Sequence, residues 1–142
     1  VQMHLHETEQ EVRIAHEQFG RSSIEYLDQH GMLVPELQAV HMTALSRDEI
    51  ARVAERGVKV IHCPYSNLKL GSGSCPIAEL YDAGITLALG TDGAASNNAL
   101  DLLSEARLAL LLANDGNESP TRVSPAQVLE SQTLGGARAL GL

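Results

Sequence analysis

The chain has 142 residues, enough for one domain with a real core, yet only 3% of them are aromatic, so Leu, Ile, Val and Ala must fill that core. A formal charge of -8 with no offsetting basic cluster disfavours nucleic acid and anionic lipid as partners. No stretch resembles a signal peptide, no apolar run approaches the roughly 18 residues of a membrane span, and Cys63 and Cys75 are too few for a disulfide framework. A soluble cytoplasmic chain with reduced thiols is expected.

Val1 to His6 is short, apolar and suited to a strand. Glu9 to Phe19 then places Val12, Ala15 and Phe19 at helical spacing, and Gly20 stops it. Ser22 or Ser23 caps a second helix, Ile24 to Gln29, which ends near Gly31. The second strand is Gln38 to Met42. Ser46-Arg47-Asp48-Glu49 matches a capping box and starts a helix with Ile50, Val53 and Ala54 on its apolar face, stopped at Gly57. Val58 to His62 is the third strand, and Cys63 to Ser74 reads as a long polar loop where ligand contacts would concentrate. Pro76 opens a helix running from Ile77 to Ala83, and Gly84 ends it. Ile85 to Leu89 is the fourth strand. Leu100 to Ala113 reads as a helix apolar on nearly every side, hence buried. Asn114 to Thr121 reads as a solvated loop, and Ser124-Pro125 starts a final helix, Ala126 to Leu134. The chain opens directly inside a strand and closes soon after Gly135-Gly136, the pattern expected of a piece of a longer protein.

Strand and helix alternate four times, with no hairpin signal between apolar runs, so the strands are expected to be parallel. Four such units make half of an eight-stranded barrel or, equally on periodicity, a free-standing doubly wound sheet.

The chemistry gathers where apolar runs end. His4-Leu5-His6-Glu7 is the densest titratable cluster, and His41, His62 and Asp92 each close or follow a strand. Any one of these alone is an ordinary polar residue at a strand end, and Asp92-Gly93 alone is an ordinary turn. Four at equivalent positions point instead to one convergent site. Imidazoles and a carboxylate from different strands suit a divalent metal such as zinc, which makes hydroxide available at neutral pH. Cys63 follows His62 directly, and neighbours on a strand face opposite ways, so a Cys-His nucleophile is excluded. Ser96 lacks a nucleophile elbow. Gly71-Ser72-Gly73 is too generic for a phosphate cradle, and His16 and His30 read as surface residues in helices.

Four motifs carry a family resemblance: His4-Leu5-His6-Glu7-Thr8, His41-Met42-Thr43, the run His62-Cys63-Pro64-Tyr65-Ser66-Asn67 up to Gly71, and Gly90-Thr91-Asp92-Gly93-Ala94-Ala95-Ser96-Asn97-Asn98. Together they resemble the amidohydrolase superfamily. More closely, they resemble its branch of 5-methylthioadenosine/S-adenosylhomocysteine deaminases and triazine chlorohydrolases.

The resemblance implies an α/β fold in which residues 1–142 form a partial domain, the C-terminal half (strands five to eight) of a (β/α)8 barrel. It implies that His4 and Asp92 ligate the metal, zinc or alternatively iron. Glu7 would contact the substrate ring and protonate it, while His41 would orient the attacking water. Asp92 would pass that water's proton to the leaving amine, and His62 and Asn67 would line the substrate pocket. The implied reaction is deamination of a purine-type ring by metal-hydroxide attack. The family's remaining two ligands form a His-x-His pair on strand one, which this chain lacks, so the chain by itself is expected to be inactive. The alternatives are a triazine-type chlorohydrolase or deaminase and a non-catalytic half-barrel that self-associates. The expected partners are therefore a small aminopurine or aminotriazine and a second copy of the chain.

Overall fold

Each apolar run becomes one strand of a single parallel sheet. In the computed structural model, which describes residues 1–115 and 121–142, the strands are β1 (Gln2–Leu5), β2 (Gln38–His41), β3 (Lys59–His62) and β4 (Leu87–Leu89). They lie in chain order, and every neighbouring pair is parallel. A doubly wound sheet reverses its strand order at a switch point. This sheet does not reverse, as in the wall of a barrel.

Among the described residues eight α-helices accompany the strands: α1 (Glu9–Phe19), α2 (Ser23–Gln29), α3 (Arg47–Glu55), α4 (Pro64–Leu70), α5 (Ile77–Asp82), α6 (Leu102–Asn114), α7 (Pro125–Glu130) and α8 (Gly136–Leu140), with a π-helical turn, Ser131–Gly135, joining the last two. Strand alternation sends Leu5, Ala39, Val60 and Leu87 into the main core, where they meet Ile24 of α2, Val53 of α3, Leu80 of α5 and Ala109 of α6. Val40, Ile61 and Ala88 point the other way, into a smaller cluster closed by Ala139 of α8. Reciprocal capping boxes start α2 at Ser22, α3 at Ser46 and α7 at Ser124, each cap contributing about 1 kcal/mol. No helix among the described residues is long and apolar enough to cross a membrane. Cys63 and Cys75 are free and buried.

Three expectations are corrected. The segment 63–74 is not all loop, because Pro64 occupies the first turn of α4 and Gly71 closes it in the left-handed conformation. That turns Ser66 and Asn67 inward, where both are buried. The helix expected to be buried all round, α6, buries only one stripe: Ala109 is fully covered, whereas Leu103 and Leu111 are 68% and 63% exposed. A helix lying on a sheet contacts it along one stripe only. Finally, Gly135-Gly136 does not stop the last helix, which continues through the π-turn to Leu140. Gly135 instead lies against the backbone of β4, where a Cβ would overlap the Leu87 carbonyl oxygen. The solvated loop expected at 114–121 lies mostly outside the described residues, although Asn114 at its start is the last residue of α6.

Asp28 of α2 joins two helices electrostatically. Its carboxylate meets Arg52 Nη1 at 2.7 Å and Arg56 Nε at 2.7 Å. The hydrogen bond from Arg52, with help from Arg56, outweighs desolvation and holds its pKa below the usual carboxylate range. A carboxyl group whose folded pKa is lowered stabilises the fold above its unfolded pKa of about 3.9, and that stabilisation is lost as pH falls through the lower folded value. Between about pH 6 and about pH 3, the Tm of the native chain is therefore expected to fall more steeply than that of Asp28→Asn. Parallel Tm-against-pH curves would overturn this assignment.

Candidate active site

The strand ends carry the strained backbone of this chain. His6, His41, Met42 and Asp92 are the non-glycine residues among those described with positive φ, at 49°, 79°, 51° and 58°. Such conformations cost on the order of 1–3 kcal/mol each and persist only where surrounding contacts fix them. Here the contacts come from the next strand, with Met42 N–H donating to Leu5 O (3.2 Å) and Thr43 N–H donating to His6 O (2.9 Å).

Four of the side chains singled out in the sequence converge at this end of the sheet. His4 projects from β1 with 58% of its side chain exposed. The ring of His41 is fully buried, and its Nε2 lies 3.3 Å from His4 Nδ1 and 3.8 Å from Glu7 Oε2. The two imidazoles pack edge to face with centroids 4.6 Å apart. Ligand atoms of His4, Glu7 and His41 all lie within 4.8 Å of one another. Asp92 completes the group, its Oδ1 3.9 Å from His4 Nε2.

Supporting polar groups hold these side chains in place. Glu7 N–H donates to Glu11 Oε2 (2.8 Å), and Ser72 Oγ donates to Glu7 Oε1 (3.2 Å). Thr43 Oγ1 donates to Glu7 O at 2.7 Å. Asp92 Oδ2 accepts from Ser66 Oγ (2.7 Å) and Ser96 Oγ (2.6 Å). Partial burial raises the Asp92 pKa, but these two hydroxyls and the Gly93 N–H outweigh it and bring the carboxyl to about 2. Asp92 is thus a carboxylate at neutral pH, with one oxygen engaged by serines and the other facing His4.

The hydrogen-bond network assigns the tautomers. Asn67 Oδ1 lies 3.4 Å from His41 Nδ1, so that nitrogen carries the proton and His41 Nε2 accepts from His4 Nδ1–H. His4 Nε2 is left with a lone pair facing the free oxygen of Asp92. His4 Nε2 and the free Asp92 oxygen lie 3.9 Å apart, and imidazole nitrogen with carboxylate oxygen is a donor set suited to zinc.

His62 and Asn67 take different positions. Asn67 joins the cluster through His41, with its Nδ2 left unpartnered. His62 is 1% exposed, its Nδ1 has no partner, and burial together with the nearby His41 lowers its pKa to about 3. It is therefore a neutral ring behind the cluster. Burial, reinforced by Asp92 and Glu105, pushes the Cys63 thiol up to about 12, which agrees with excluding it as a nucleophile. His16 and the helix-terminal His30 are exposed.

Sequence reasoning missed Ser66, Ser72 and Thr43, and it considered Ser96 only as a nucleophile. The usable signal for Ser66 was Cys63-Pro64, a helix start that carries the next turn back over β4. A cleft of about 660 Å³ lies elsewhere, between α1 and α3 with Glu9, Val12, Thr43, Asp48 and Arg52 in its wall. The His4–Asp92 cluster forms a shelf at the edge of the sheet, where among the described residues β1 pairs with β2 and with no further strand.

A parallel α/β sheet with imidazoles and carboxylates gathered at its strand ends has the layout of a barrel wall whose chemistry sits at the C-terminal ends of its strands. The profile of the amidohydrolase family matches residues 1–142, and the chain belongs to that family. It is 44% identical over its whole length to a 5-methylthioadenosine/S-adenosylhomocysteine deaminase of Teredinibacter turnerae, covering 32% of that protein. Among solved structures it resembles an adenosine deaminase from Xanthomonas campestris with bound zinc, at 51% identity and a TM-score of 0.96, over 99% of this chain and 32% of that one. It also resembles the zinc complex of an atrazine chlorohydrolase from Arthrobacter aurescens TC1, at 34% identity and a TM-score of 0.92, over 99% of this chain and 31% of the other. The chain spans about a third of the length of the relatives it matches.

Proposed function

We propose that residues 1–142 contribute strands five to eight of a (β/α)8 barrel in a zinc-dependent cytoplasmic aminohydrolase. Its substrate would be a small molecule with a purine-type ring, such as 5-methylthioadenosine or S-adenosylhomocysteine. The observation that carries this reading is the opposition of His4 Nε2 and Asp92 Oδ1, with Glu7 and His41 beside them. The similarity to deaminases along the whole chain supports the ring chemistry.

In this reading His4 and Asp92 hold the metal, with further ligands supplied from outside the chain. A divalent zinc there supplies Lewis acidity that makes a hydroxide nucleophile available near neutral pH. His41, held between Asn67 and His4, stands beside the attacking water and steadies the charge that develops there. Asp92 takes that water's proton on Oδ1 while Ser66 and Ser96 hold Oδ2 still. Glu7, steadied by Ser72, delivers a proton to the ring nitrogen as oxygen adds at the amine-bearing carbon. Asp92 then passes its proton to the departing amine, and the added hydroxyl returns its proton to Glu7 as the carbonyl forms, so water enters, ammonia leaves and both carboxyl groups are restored. His62 stays neutral and lines the pocket with Asn67. By itself the chain holds two ligands and is expected to be silent.

The zinc-loaded full-length protein should release ammonia from methylthioadenosine, adenosylhomocysteine or a related aminopurine nucleoside. Absence of ammonia with every aminopurine would overturn the reading. The likeness to atrazine chlorohydrolase favours one second reading, hydrolysis of an aminotriazine on the same scaffold, and chloride release in the same substrate panel would select it. Self-association through the open β1 edge is a separate proposal, and a compact monomer at all concentrations in sedimentation would count against it.

A further inference from the structure

Glu105 lies on α6, away from the shelf, and is 0% exposed. Among the described residues no cation pairs with it. Its Oε2 accepts the Tyr65 N–H at 3.1 Å, and its Oε1 accepts a short hydrogen bond from Asn97 Nδ2. Burying a carboxylate without a positive partner is costly, so such a position calls for a reason that an uncharged residue would not satisfy.

The geometry of its two partners supplies one. Asn97 Nδ2 also donates to Thr91 O at 2.9 Å, gripping the residue just before Asp92. Tyr65 stands directly before Ser66 and Asn67, which contact Asp92 Oδ2 and His41 Nδ1. The amide of Asn97 cannot turn over to relieve a mismatch, because its Oδ1 accepts the Ala99 N–H at 3.1 Å. Both groups facing Glu105 are therefore fixed donors. A carboxylate satisfies both, while a glutamine satisfies one and sets a second donor against the other.

We propose that Glu105 is a positioning residue for the metal ligand Asp92, clamping the start of α4 and the β4–α6 loop so that Ser66 and Ser96 both reach one carboxylate oxygen. It touches neither substrate nor metal. The proposal rests on the aminohydrolase reading only for the identity of the ion, since the clamp acts on Asp92 whether or not a metal is bound.

The test uses Glu105→Gln in the full-length protein. Groups that orient a metal ligand typically change metal affinity by 10–100-fold when removed. Zinc affinity by chelator competition is expected to weaken within that range, with kcat falling and KM little changed. The side-chain carboxyl ¹³C resonance of Asp92 is expected to move in the metal-free protein as its serine contacts loosen. Ser66→Ala should remove much of the further effect of Glu105→Gln on zinc affinity, because both act on the same oxygen. If Glu105→Gln does not fold, Asn97→Ala cuts only the arm to Thr91 and is expected to move the same resonance. An unmoved Asp92 resonance, or effects of Glu105→Gln and Ser66→Ala that simply add, would overturn the positioning role. A native protein that binds no zinc but whose Asp92 resonance still responds to Glu105→Gln would overturn the aminohydrolase reading and leave the clamp standing.

Discussion

Asp92→Asn is expected to lower kcat of the zinc-loaded full-length protein by about 10³-fold or more, with Tm close to that of the native protein. The size of the loss follows from two roles falling on one side chain. Proton transfer by a positioned group contributes about 10²–10⁴-fold, and the same oxygen faces His4 Nε2 across 3.9 Å as one of only two proposed metal ligands in this chain. Asparagine has the same shape, and its carbonyl oxygen can still accept from Ser66 and Ser96, so the fold should survive. In that orientation its amide NH2 takes the place of the oxygen facing His4 and offers neither a ligand to the metal nor a base to the water. Steady-state ammonia release and zinc content measured on one preparation check both roles. Activity within tenfold of native would remove Asp92 from the chemistry, whereas full zinc occupancy with lost turnover would leave it as base alone.

Gly135→Ala is expected to be the most damaging conservative change in the scaffold, at about 3 kcal/mol or more and a Tm loss on the order of 10 °C. The added methyl would overlap the Leu87 carbonyl oxygen, which is backbone of β4 and cannot swing aside as a side chain could. Relief requires the π-turn to lift off the outer strand, exposing its unpaired edge. Since β4 leads through Gly90 and Thr91 to Asp92, the metal site should loosen as well. Gly136→Ala is the matched control, because a Cβ there meets nothing closer than the Ser131 carbonyl oxygen at 4.0 Å. Equal Tm values for the two variants would show that the close approach at Gly135 carries no weight.

These two positions differ in how far they could be read beforehand. Asp92 is conspicuous in the chain because an apolar run ends in a single carboxylate flanked by Gly90 and Gly93. Gly135 is not, since a glycine after an apolar helical stretch reads as a stop, and nothing local distinguishes a stop from a close approach. The stretch 63–74 misled for a related reason. Its Ser, Asn and Gly content suits a solvated loop, but α4 turns Ser66 and Asn67 into the site, where their polarity is spent on Asp92 and His41. The Leu-rich face of α6 misled in the opposite direction, because apolar composition reports what a helix can bury and not which neighbours are present to cover it.

The sequence alone determined the four strands and most of the helices between them, the capping box at Ser46 and the placing of His4, Glu7, His41 and Asp92 at strand ends. All of these depend on periodicity and capping within a few neighbouring residues. Tertiary structure alone decided that Ser66, 26 residues away, steadies Asp92, that Ser72, 65 residues away, steadies Glu7, and that Glu105, 40 residues from Tyr65, clamps the start of α4. Such contacts depend on the register of β1 to β4 and on how each helix lies across the sheet. That register is set by packing summed over the whole core, and no short stretch of residues carries it.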